Sequence, residues 1–415
     1  MPTVRSGLMK VAVVAEYYPR PSHPGLGIWA HRQALAVRAK GIDVEVIALE
    51  RPIPPLHALR SLTPRGGGPD LGPLREWFEA VRKQPRDTTL DGVRVHYARF
   101  VSPPRPISYG AWGRWASPAV AHALDDLVRS GPFDLLHAHY AVPAGDACRR
   151  WMARRGVSLP LVVSVHGGDL TYAAPRSQTG LRTVAATLRE ADAVLVNSEL
   201  TRDGVEDLIG PRRRLQVVHL GADVIAKQAE PYPNPTLATV ANLEPRKSHA
   251  DVIRALSALR DRHPALRYVV VGAGPGRREL ERLAASLEVA NRVEFRGALS
   301  HEETLAELAR CHLHVMASYD ELFGVAHIEA MGAGVPAVGG AGTGAEDIAR
   351  AGEGIVLVRP GDVDALVKVI DELIGDPKRR RALGEAARKT VADHFSWERN
   401  GELTAAVYRE VSESS

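Results

Sequence analysis

The sequence predicts an α/β protein built from two doubly wound parallel sheets. Strand and helix patterns alternate along the chain, and one proline-rich segment interrupts that alternation. The strand patterns are continuous apolar runs, which are typical of strands buried on both faces of a parallel sheet. A chain of 415 residues is also too long for one ordinary hydrophobic core, so two domains are expected.

The first predicted unit is strand, glycine loop, helix, strand. The apolar run Lys10–Ala15 predicts the strand, and the loop after it holds Gly25 and Gly27. A helix over 28–39 and a strand over 44–49 complete the unit, which is how a doubly wound sheet begins. Further strands are predicted over 93–97, 134–137, 161–166 and 193–197, with helices between most of them. The Pro-, Gly- and Arg-rich segment 51–89 is predicted to be a surface excursion carrying one packed helix.

A proline-rich linker over 226–236 is predicted to separate two domains, 9–225 and 237–395. Three prolines between positions 231 and 235 indicate it, after a last strand and turn over 217–223. The alternation then restarts, with predicted strands over 237–241, 268–271, 293–296 and 312–316 and predicted helices over 249–263, 277–286 and 301–310.

Bulk composition indicates a soluble globular enzyme of the cytoplasm. Apolar residues make up 45% of the chain and charged residues 25%. No apolar run approaches the ~20 residues of a membrane span, and the N-terminus lacks the apolar stretch of a signal peptide. The two cysteines, Cys148 and Cys311, lie far apart with no histidine at metal spacing, which argues against a disulfide framework or a zinc site.

Charge is distributed unevenly between the two halves. Through Ala222 there are 29 Lys and Arg against 20 Asp and Glu, whereas the remainder carries a net charge of −5. A basic half favours an anionic partner, whether phospholipid headgroup, phosphorylated acceptor or acidic glycan. Peripheral contact with the anionic inner face of the membrane is one expectation, and a solvated Arg-rich surface is the alternative. Nucleic acid is not expected, because no basic stripe with interleaved aromatic residues is present.

Two carboxylates, Glu321 and Glu329, flank a predicted strand-to-helix junction. The Phe323-Gly324 pair opens the helix, which ends at a Gly-Val-Pro sequence. A helix N-terminus after a strand is an anion site, because its free N–H groups point outward at the positive end of the helix dipole. Carboxylates on either side suit a ligand with hydroxyls on both sides of a phosphate, such as a nucleotide sugar. The alternative is an ordinary connection with two solvated acids.

With these elements in place, the chain resembles the retaining glycosyltransferases of family 4. Their GT-B fold consists of two Rossmann-like domains whose parallel sheets face an interdomain cleft, and a C-terminal segment, here 396–415, crosses back to the first domain. The resemblance extends from Met9 to about Glu398 and looks closest to bacterial cell-wall and surface-polysaccharide enzymes. The motifs that carry it are Glu321…Glu329, Leu243–Lys247, Val270–Gly276, Gly342–Glu346, His137–His139 and His166–Asp169.

The resemblance implies a role for each donor-side position. Glu321 would accept hydrogen bonds from the donor sugar and Glu329 from the ribose hydroxyls. Lys247 would neutralise the diphosphate leaving group, as a metal does in other enzymes. The N–H groups of Gly324, Val325 and Ala326 would hold that diphosphate. Further donor-binding candidates are Gly25, Gly27, Gly274 and Phe323, although the first two also fit a plain tight turn.

One position departs from the family pattern. An arginine usually stands five residues before the lysine, and here that position is Asn242. An amide can hydrogen-bond a phosphate but supplies no charge. Either Lys247 acts with another cation, of which Arg246 is nearest in sequence, or the leaving group is stabilised less.

On the acceptor side, His166 ends a predicted strand before two glycines. In the family this histidine lies beneath the donor sugar near the reacting face, which makes His166 a catalytic candidate together with Lys247 and Glu321. A satisfied core histidine is the alternative. His139 and Asp169 are the acceptor-side candidates.

The expected activity is transfer of a hexosyl group, with retention, from a nucleoside diphosphate sugar to a small, lipid-linked or glycan acceptor. A UDP-sugar is favoured. The role that the resemblance gives to Lys247 implies that the reaction needs no metal, and no cofactor is expected. A nucleotide-sugar epimerase and a nucleotide-sugar-binding protein without catalysis are the alternatives. A dehydrogenase is disfavoured, because Gly25-Leu-Gly27 lacks the third glycine of the dinucleotide fingerprint.

Overall fold

The computed structural model describes residues 8–21, 23–54, 70–225 and 229–414. Contacts within the chain divide it into two compact units, each built on its own sheet. The first unit comprises Met1–Val196, Gly204–Gln216 and Gly401–Ser415, and the second comprises Asn197–Asp203 and Val217–Asn400.

The first sheet has eight strands in the order β3-β4-β2-β1-β5-β6-β7-β8. The pairings from β4 through β7 are parallel, and β3 joins β4 antiparallel. The strands are β1 (Lys10–Ala15), β2 (Asp43–Glu50), β3 (Asp87–Leu90), β4 (Val93–Arg99), β5 (Leu135–His139), β6 (Leu161–Val165), β7 (Ala193–Val196) and β8 (Leu215–Val217). The central strands are buried along their whole length, as their apolar sequences predict.

Helices follow most of these strands. They are α1 (Ile28–Arg38), α2 (Gly72–Lys83), α3 (Arg105–Ser108), α4 (Trp112–Ser130), α5 (Asp146–Arg155), α6 (Ala174–Arg176), α7 (Gln178–Glu190) and α8 (Glu199–Ile209). The strand order reverses between β1 and β5. Ligands of open α/β sheets bind at such a switch point, beyond the carboxyl ends of the strands.

The second sheet has six strands, all parallel, in the order β11-β10-β9-β12-β13-β14. They are β9 (Thr236–Val240), β10 (Arg267–Val271), β11 (Val293–Gly297), β12 (Leu313–Met316), β13 (Ala337–Gly340) and β14 (Ile355–Val358). The helices are α9 (His249–Ala258), α10 (Arg277–Ser286), α11 (His301–Arg310), α12 (Val325–Gly332), α13 (Ala345–Ala351), α14 (Val363–Gly375), α15 (Pro377–His394) and α16 (Trp397–Glu413). The switch point of this sheet lies between β9 and β12.

Helix α16 packs against the first unit from Gly401 onward. A Cβ on Gly401 would lie 2.5 Å from the carbonyl oxygen of Ala36, so only glycine allows this approach to α1. The buried hydroxyl of Tyr408 lies 2.6 Å from Nδ1 of His137 on β5. Gln33 donates a hydrogen bond to Thr404 at 3.0 Å, also in a buried position. These contacts attach the end of the chain to this unit.

The two predicted parallel sheets are present, and most predicted strands match the observed bounds within two residues. Three predictions were wrong in detail. The strand expected within a strand and turn over 217–223 is instead Leu215–Val217, and the helix expected over 249–263 ends at Ala258. Helix α2, expected to be packed, buries none of its residues. Part of the excursion, 55–69, and part of the linker, 226–228, lie outside the described residues.

Both cysteines, Cys148 and Cys311, are buried free thiols. None of the helices in the described ranges combines the length and apolar character that crossing a bilayer requires.

Candidate active site

Lys247 and Glu321 meet at the switch point of the second sheet. Lys247 closes a short 3₁₀ turn after β9, and Glu321 lies in the loop after β12. The Lys247 ammonium donates a hydrogen bond to Oε2 of Glu321. Both side chains are mostly buried, at 12% and 16% exposed. The cation and the carboxylate that the sequence predicted for the site are therefore direct neighbours.

Two further hydrogen bonds connect the loops that carry this pair. The hydroxyl of Ser248 donates to the carbonyl of Ala317 at 2.8 Å. The N–H of Tyr319 donates to the carbonyl of Arg246 at 2.8 Å. Since each loop is bound to the other on both sides of Lys247, the lysine is positioned by backbone contacts as well as by its ion pair.

Gly324 places the N-terminus of α12 beside Glu321. Its φ of 92° lies in the left-handed region, and a Cβ there would lie 2.6 Å from the His327 ring. The N–H groups of Val325 and Ala326 open the helix, where backbone donors lack intrahelical acceptors. Such donors beside a lysine are groups that could hold an anion.

Glu329 has a neighbour that the sequence did not indicate. Its carboxylate lies 3.6 Å from Nδ1 of His301, the first residue of α11, and its side chain is 15% exposed. A ribose that hydrogen-bonds this carboxylate would also meet the imidazole.

Glycines bring the loop after β10 against the loop after β9. A Cβ on Gly274 would lie 2.7 Å from backbone atoms of Leu243, and one on Gly272 would lie 2.0 Å from the carbonyl oxygen of Ala241. Glycine is needed at Gly274 for this packing of backbone on backbone, which adds to its predicted place in the donor site.

Arg246 does not join Lys247. Its Nε donates to Oε2 of Glu244 at 2.9 Å, an ion pair separate from that of Lys247. Asn242 is exposed, and its backbone carbonyl oxygen lies 3.2 Å from Nε2 of His249. The second cation that the sequence analysis sought beside Lys247 is therefore not Arg246 in this arrangement.

The Phe323 side chain is a packing group. It is 2% exposed and stacks on His219 at 5.4 Å between ring centroids, with Phe395 at 5.9 Å. A ligand at this turn meets the backbone of Phe323 and not its ring. His327 is likewise fully buried, and burial lowers its pKa to about 3.

In the first unit, His139 and His166 form a direct pair at the carboxyl ends of β5 and β6. Nδ1 of His139 lies 2.9 Å from Nε2 of His166. Burial lowers the pKa of His166 to about 3 and that of His139 well below its usual value, so both rings are neutral at pH 7. One ring must then donate and the other accept. The Trp29 ring covers His166, with 4.0 Å between centroids.

Asp169 follows His166 by three positions and is fully buried. Its Oδ1 accepts hydrogen bonds from the N–H groups of Ala141 and Val142, at 3.0 Å and 3.3 Å. Burial raises the pKa of Asp169 to about 8, so the carboxyl is mostly protonated at neutral pH. These backbone bonds give it a role in shaping the loop after β5.

Gly27 is a structural requirement, whereas Gly25 is not. Gly27 caps α1 with φ of 63°, and a Cβ there would lie 2.2 Å from the backbone of Tyr17. Around Gly25 there is open space. Of these two glycines, only Gly27 lies close to the backbone of the segment that follows β1.

A buried acid that was not predicted, Glu16, lies directly after β1. Its Oε2 accepts a hydrogen bond from the Tyr109 hydroxyl at 2.6 Å, and Arg105 lies 3.9 Å away. Burial raises the pKa of Glu16 to about 7, although Arg105 opposes that shift. The available signal was an acid at the end of the first strand, where ligands of such sheets bind.

Two sets of polar groups thus lie at the carboxyl ends of strands, one in each unit. The second unit holds Lys247 and the N-terminus of α12 with carboxylates on either side, and the first holds neutral histidines and buried acids. Two doubly wound sheets with polar groups at their carboxyl ends are the arrangement of a glycosyltransferase of GT-B type.

Comparisons with known proteins agree. The family "Glycosyl transferase 4-like domain" matches residues 25–221, and "Glycosyl transferases group 1" matches residues 223–390. A GDP-mannose-dependent alpha-(1-6)-phosphatidylinositol monomannoside mannosyltransferase from Mycolicibacterium smegmatis is 31% identical over 304 residues, 68% of this chain and 78% of the relative. A glycogen synthase from Mycobacterium tuberculosis is 27% identical over 96% of this chain and 94% of its own length.

A solved structure shows the same fold. Sucrose-phosphate synthase from Thermosynechococcus elongatus superposes with a TM-score of 0.75 at 21% identity, covering 98% of this chain and all of that one. The chain belongs to the family-4 glycosyltransferases of GT-B fold.

Proposed function

We propose that this glycosyltransferase moves a hexosyl group from a nucleoside diphosphate sugar to an acceptor hydroxyl, with retention at the anomeric carbon and without a metal ion. The observation that carries the proposal is the Lys247–Glu321 pair beside the N-terminus of α12. It puts a cation and backbone donors next to a carboxylate, which suits a diphosphate attached to a polyhydroxylated ring.

Each donor group acts on one part of the substrate. Lys247 and the first N–H groups of α12 bind the diphosphate and stabilise the charge that develops as it leaves. Glu321 accepts hydrogen bonds from the sugar hydroxyls, and Glu329, with His301 at 3.6 Å, receives the ribose.

The transfer needs no dedicated base. The acceptor oxygen forms its bond to the anomeric carbon while the bond from that carbon to the β-phosphate oxygen breaks. The acceptor proton passes to the leaving phosphate on the same face, which preserves the configuration. The neutral His166 then serves as a hydrogen-bonding group for the sugar, since its low pKa prevents it from holding a proton as an acid.

The donor and acceptor to test first come from relatives. The Mycolicibacterium smegmatis relative is named for GDP-mannose and for a phosphatidylinositol monomannoside. GDP-mannose therefore joins the UDP-sugars that the sequence analysis favoured, and an inositol lipid is the first acceptor.

The test is a donor panel of UDP-glucose, UDP-galactose, UDP-N-acetylglucosamine, GDP-mannose and ADP-glucose, with and without phosphatidylinositol acceptors. Release of nucleoside diphosphate that depends on the acceptor supports the proposal, and the anomeric coupling constant of the product reports retention. Isomerised sugar without acceptor would identify an epimerase instead. Donor binding without turnover under every acceptor would indicate a binding protein.

A further inference from the structure

Three arginines in the first unit alternate with aromatic rings. The guanidinium carbon of Arg51 lies 4.7 Å from the centre of the Trp112 ring, and that of Arg105 lies 5.9 Å from the same ring. Tyr172 continues the series, with Arg105 at 5.0 Å and Arg176 at 4.5 Å. We call these five residues the arginine–aromatic row.

The row lies at the carboxyl edge of the first sheet. Arg51 directly follows β2, Arg105 begins the first helix after β4, and Arg176 lies in α6 after β6. The strands are parallel from β4 to β7, so these positions share an edge with His139 and His166. In a parallel sheet of this type, ligands bind beyond the carboxyl ends of the strands.

Positive charge in the row exceeds the negative charge beside it. Glu16, 3.9 Å from Arg105, is the one carboxylate within ion-pair distance of these arginines in the described ranges. The pKa of Glu16 is raised to about 7 by burial, so this carboxyl carries only part of a charge at neutral pH. Burial, and to a smaller extent the neighbouring Arg105, lower the pKa of Arg51.

Two guanidinium N–H donors of the row have no hydrogen-bond acceptor in the described part of the chain. The Nε atoms of Arg51 and Arg105 are buried without an acceptor among the described residues. A buried donor without a partner costs free energy that a bound acceptor would restore. Aromatic rings hold the two planar groups in place, so little further ordering is needed on binding.

We propose that the arginine–aromatic row binds a phosphate group carried by the acceptor. A tetrahedral phosphate offers several oxygens to guanidinium forks and supplies the missing negative charge. The donor diphosphate is assigned to Lys247 and α12 in the second unit, so this phosphate is a different one. The inference rests on the proposed transferase function and narrows its acceptor to phosphorylated compounds, either soluble or the headgroup of a lipid.

The experiment uses matched probes that differ only in phosphate. Binding to the full chain is measured by calorimetry in saturating GDP or UDP, so that the donor site is occupied. The soluble probes are glucose 6-phosphate against glucose and inositol 1-phosphate against inositol. Phosphatidylcholine vesicles that contain either phosphatidic acid or diacylglycerol, two lipids that differ only in the phosphate, form the lipid arm. Preference for the phosphorylated member by about tenfold or more is expected, and the arm that shows it identifies the source.

Variants locate the site. Arg105→Gln and Arg51→Gln are expected to lower affinity for the phosphorylated probe about 10- to 100-fold. Arg154→Gln removes the same charge from the exposed far end of α5 and should leave affinity unchanged. Arg176→Gln, an exposed position, keeps the test available if a buried variant does not fold.

Equal binding of phosphorylated and neutral probes, or no binding of either, would overturn the assignment. So would a phosphate preference that survives both Arg105→Gln and Arg51→Gln, or equal affinity for glucuronate, which would indicate a carboxylate site. Nucleotide binding in the second unit is measured separately. If the wild-type protein does not bind the nucleotide, the transferase proposal is contradicted. If it binds the nucleotide but shows no preference for phosphorylated probes, only this inference is contradicted.

Discussion

The ammonium of Lys247 hydrogen-bonds the carboxylate of Glu321, which joins the loop after β9 to the loop after β12. These are the two strands between which the order of the second sheet reverses. A diphosphate arriving at α12 would compete with Glu321 for the lysine. In the proposed reaction, the ion pair holds both side chains in place until the substrate arrives, and Lys247 then binds the phosphate while Glu321 binds the sugar.

Lys247→Ala should lower kcat/KM by about 10²- to 10³-fold, because it removes the only side-chain cation assigned to the leaving diphosphate. Donor affinity should fall as well, since the lysine binds the phosphate in the ground state. Steady-state kinetics and titration with the nucleoside diphosphate measure the two effects. Lys368→Ala, an exposed position on α14, is the control for loss of charge. Unchanged kinetics in Lys247→Ala would remove this residue from the site.

Glu321→Gln should lower kcat while leaving affinity for the free nucleoside diphosphate intact or higher. The carboxylate is assigned to the sugar, and its neutralisation releases Lys247 from the ion pair. Comparing titrations with the nucleoside diphosphate and with the intact donor separates these effects. A matched loss of affinity for both ligands would show that Glu321 contacts the nucleotide and not the sugar.

Glu329→Gln should show the opposite pattern. It removes the carboxylate proposed for the ribose, so affinity for the nucleoside diphosphate and for the donor should fall together, by about tenfold. The same two titrations decide the matter. If only the intact donor were affected, the roles of Glu321 and Glu329 would have to be exchanged.

A chelator should leave the transfer rate within about twofold of its original value. The diphosphate charge is assigned to Lys247 and to the helix N-terminus, so a divalent cation has no necessary place in the proposed step. The rate is measured in EDTA and again after Mg²⁺ or Mn²⁺ is added back. A loss of more than tenfold that either ion restores would refute metal independence.

Local patterns predicted the strands and the spacing of Glu321 and Glu329 about a helix N-terminus, and the family resemblance identified Lys247. Each of these depends only on short stretches of sequence. The hairpin between β3 and β4 also had a local signal in the Asp91-Gly92 dipeptide, but it was not predicted. Both residues of this turn have positive φ. Pairs such as Lys247 and Glu321 were not predictable as contacts, because 74 positions separate them.

The buried cluster around Glu16 was unpredictable for the same reason. Tyr109 reaches Glu16 across 93 positions, and the contact arises only when the sheet brings the ends of distant strands together. Residue type and motif position also do not show whether a side chain is buried or faces a ligand. Phe323 carries a family motif, but its ring packs in the core.

The last prediction concerns pH and the buried acid Glu16. Its pKa is raised from the ordinary 4.5 to about 7 in the folded protein, mainly by burial. Below pH 4.5 both folded and unfolded chains hold the proton. As pH rises from 4.5 to 7 the unfolded chain releases it while the folded protein keeps it, so stability falls, and above 7 the contribution of Glu16 is constant.

Glu16→Gln should remove that slope and retain the Tyr109 hydrogen bond, since an amide oxygen also accepts. Between pH 4.5 and 7.5 the variant should lose less stability than the wild type, by up to about 3 kcal/mol. Asp169, with its pKa raised to about 8, acts in the same direction and keeps some slope in both proteins. Urea unfolding at several pH values measures the difference, with Glu79→Gln on the exposed helix α2 as the control. Parallel stability curves for wild type and Glu16→Gln would mean that Glu16 is ionised in the folded protein.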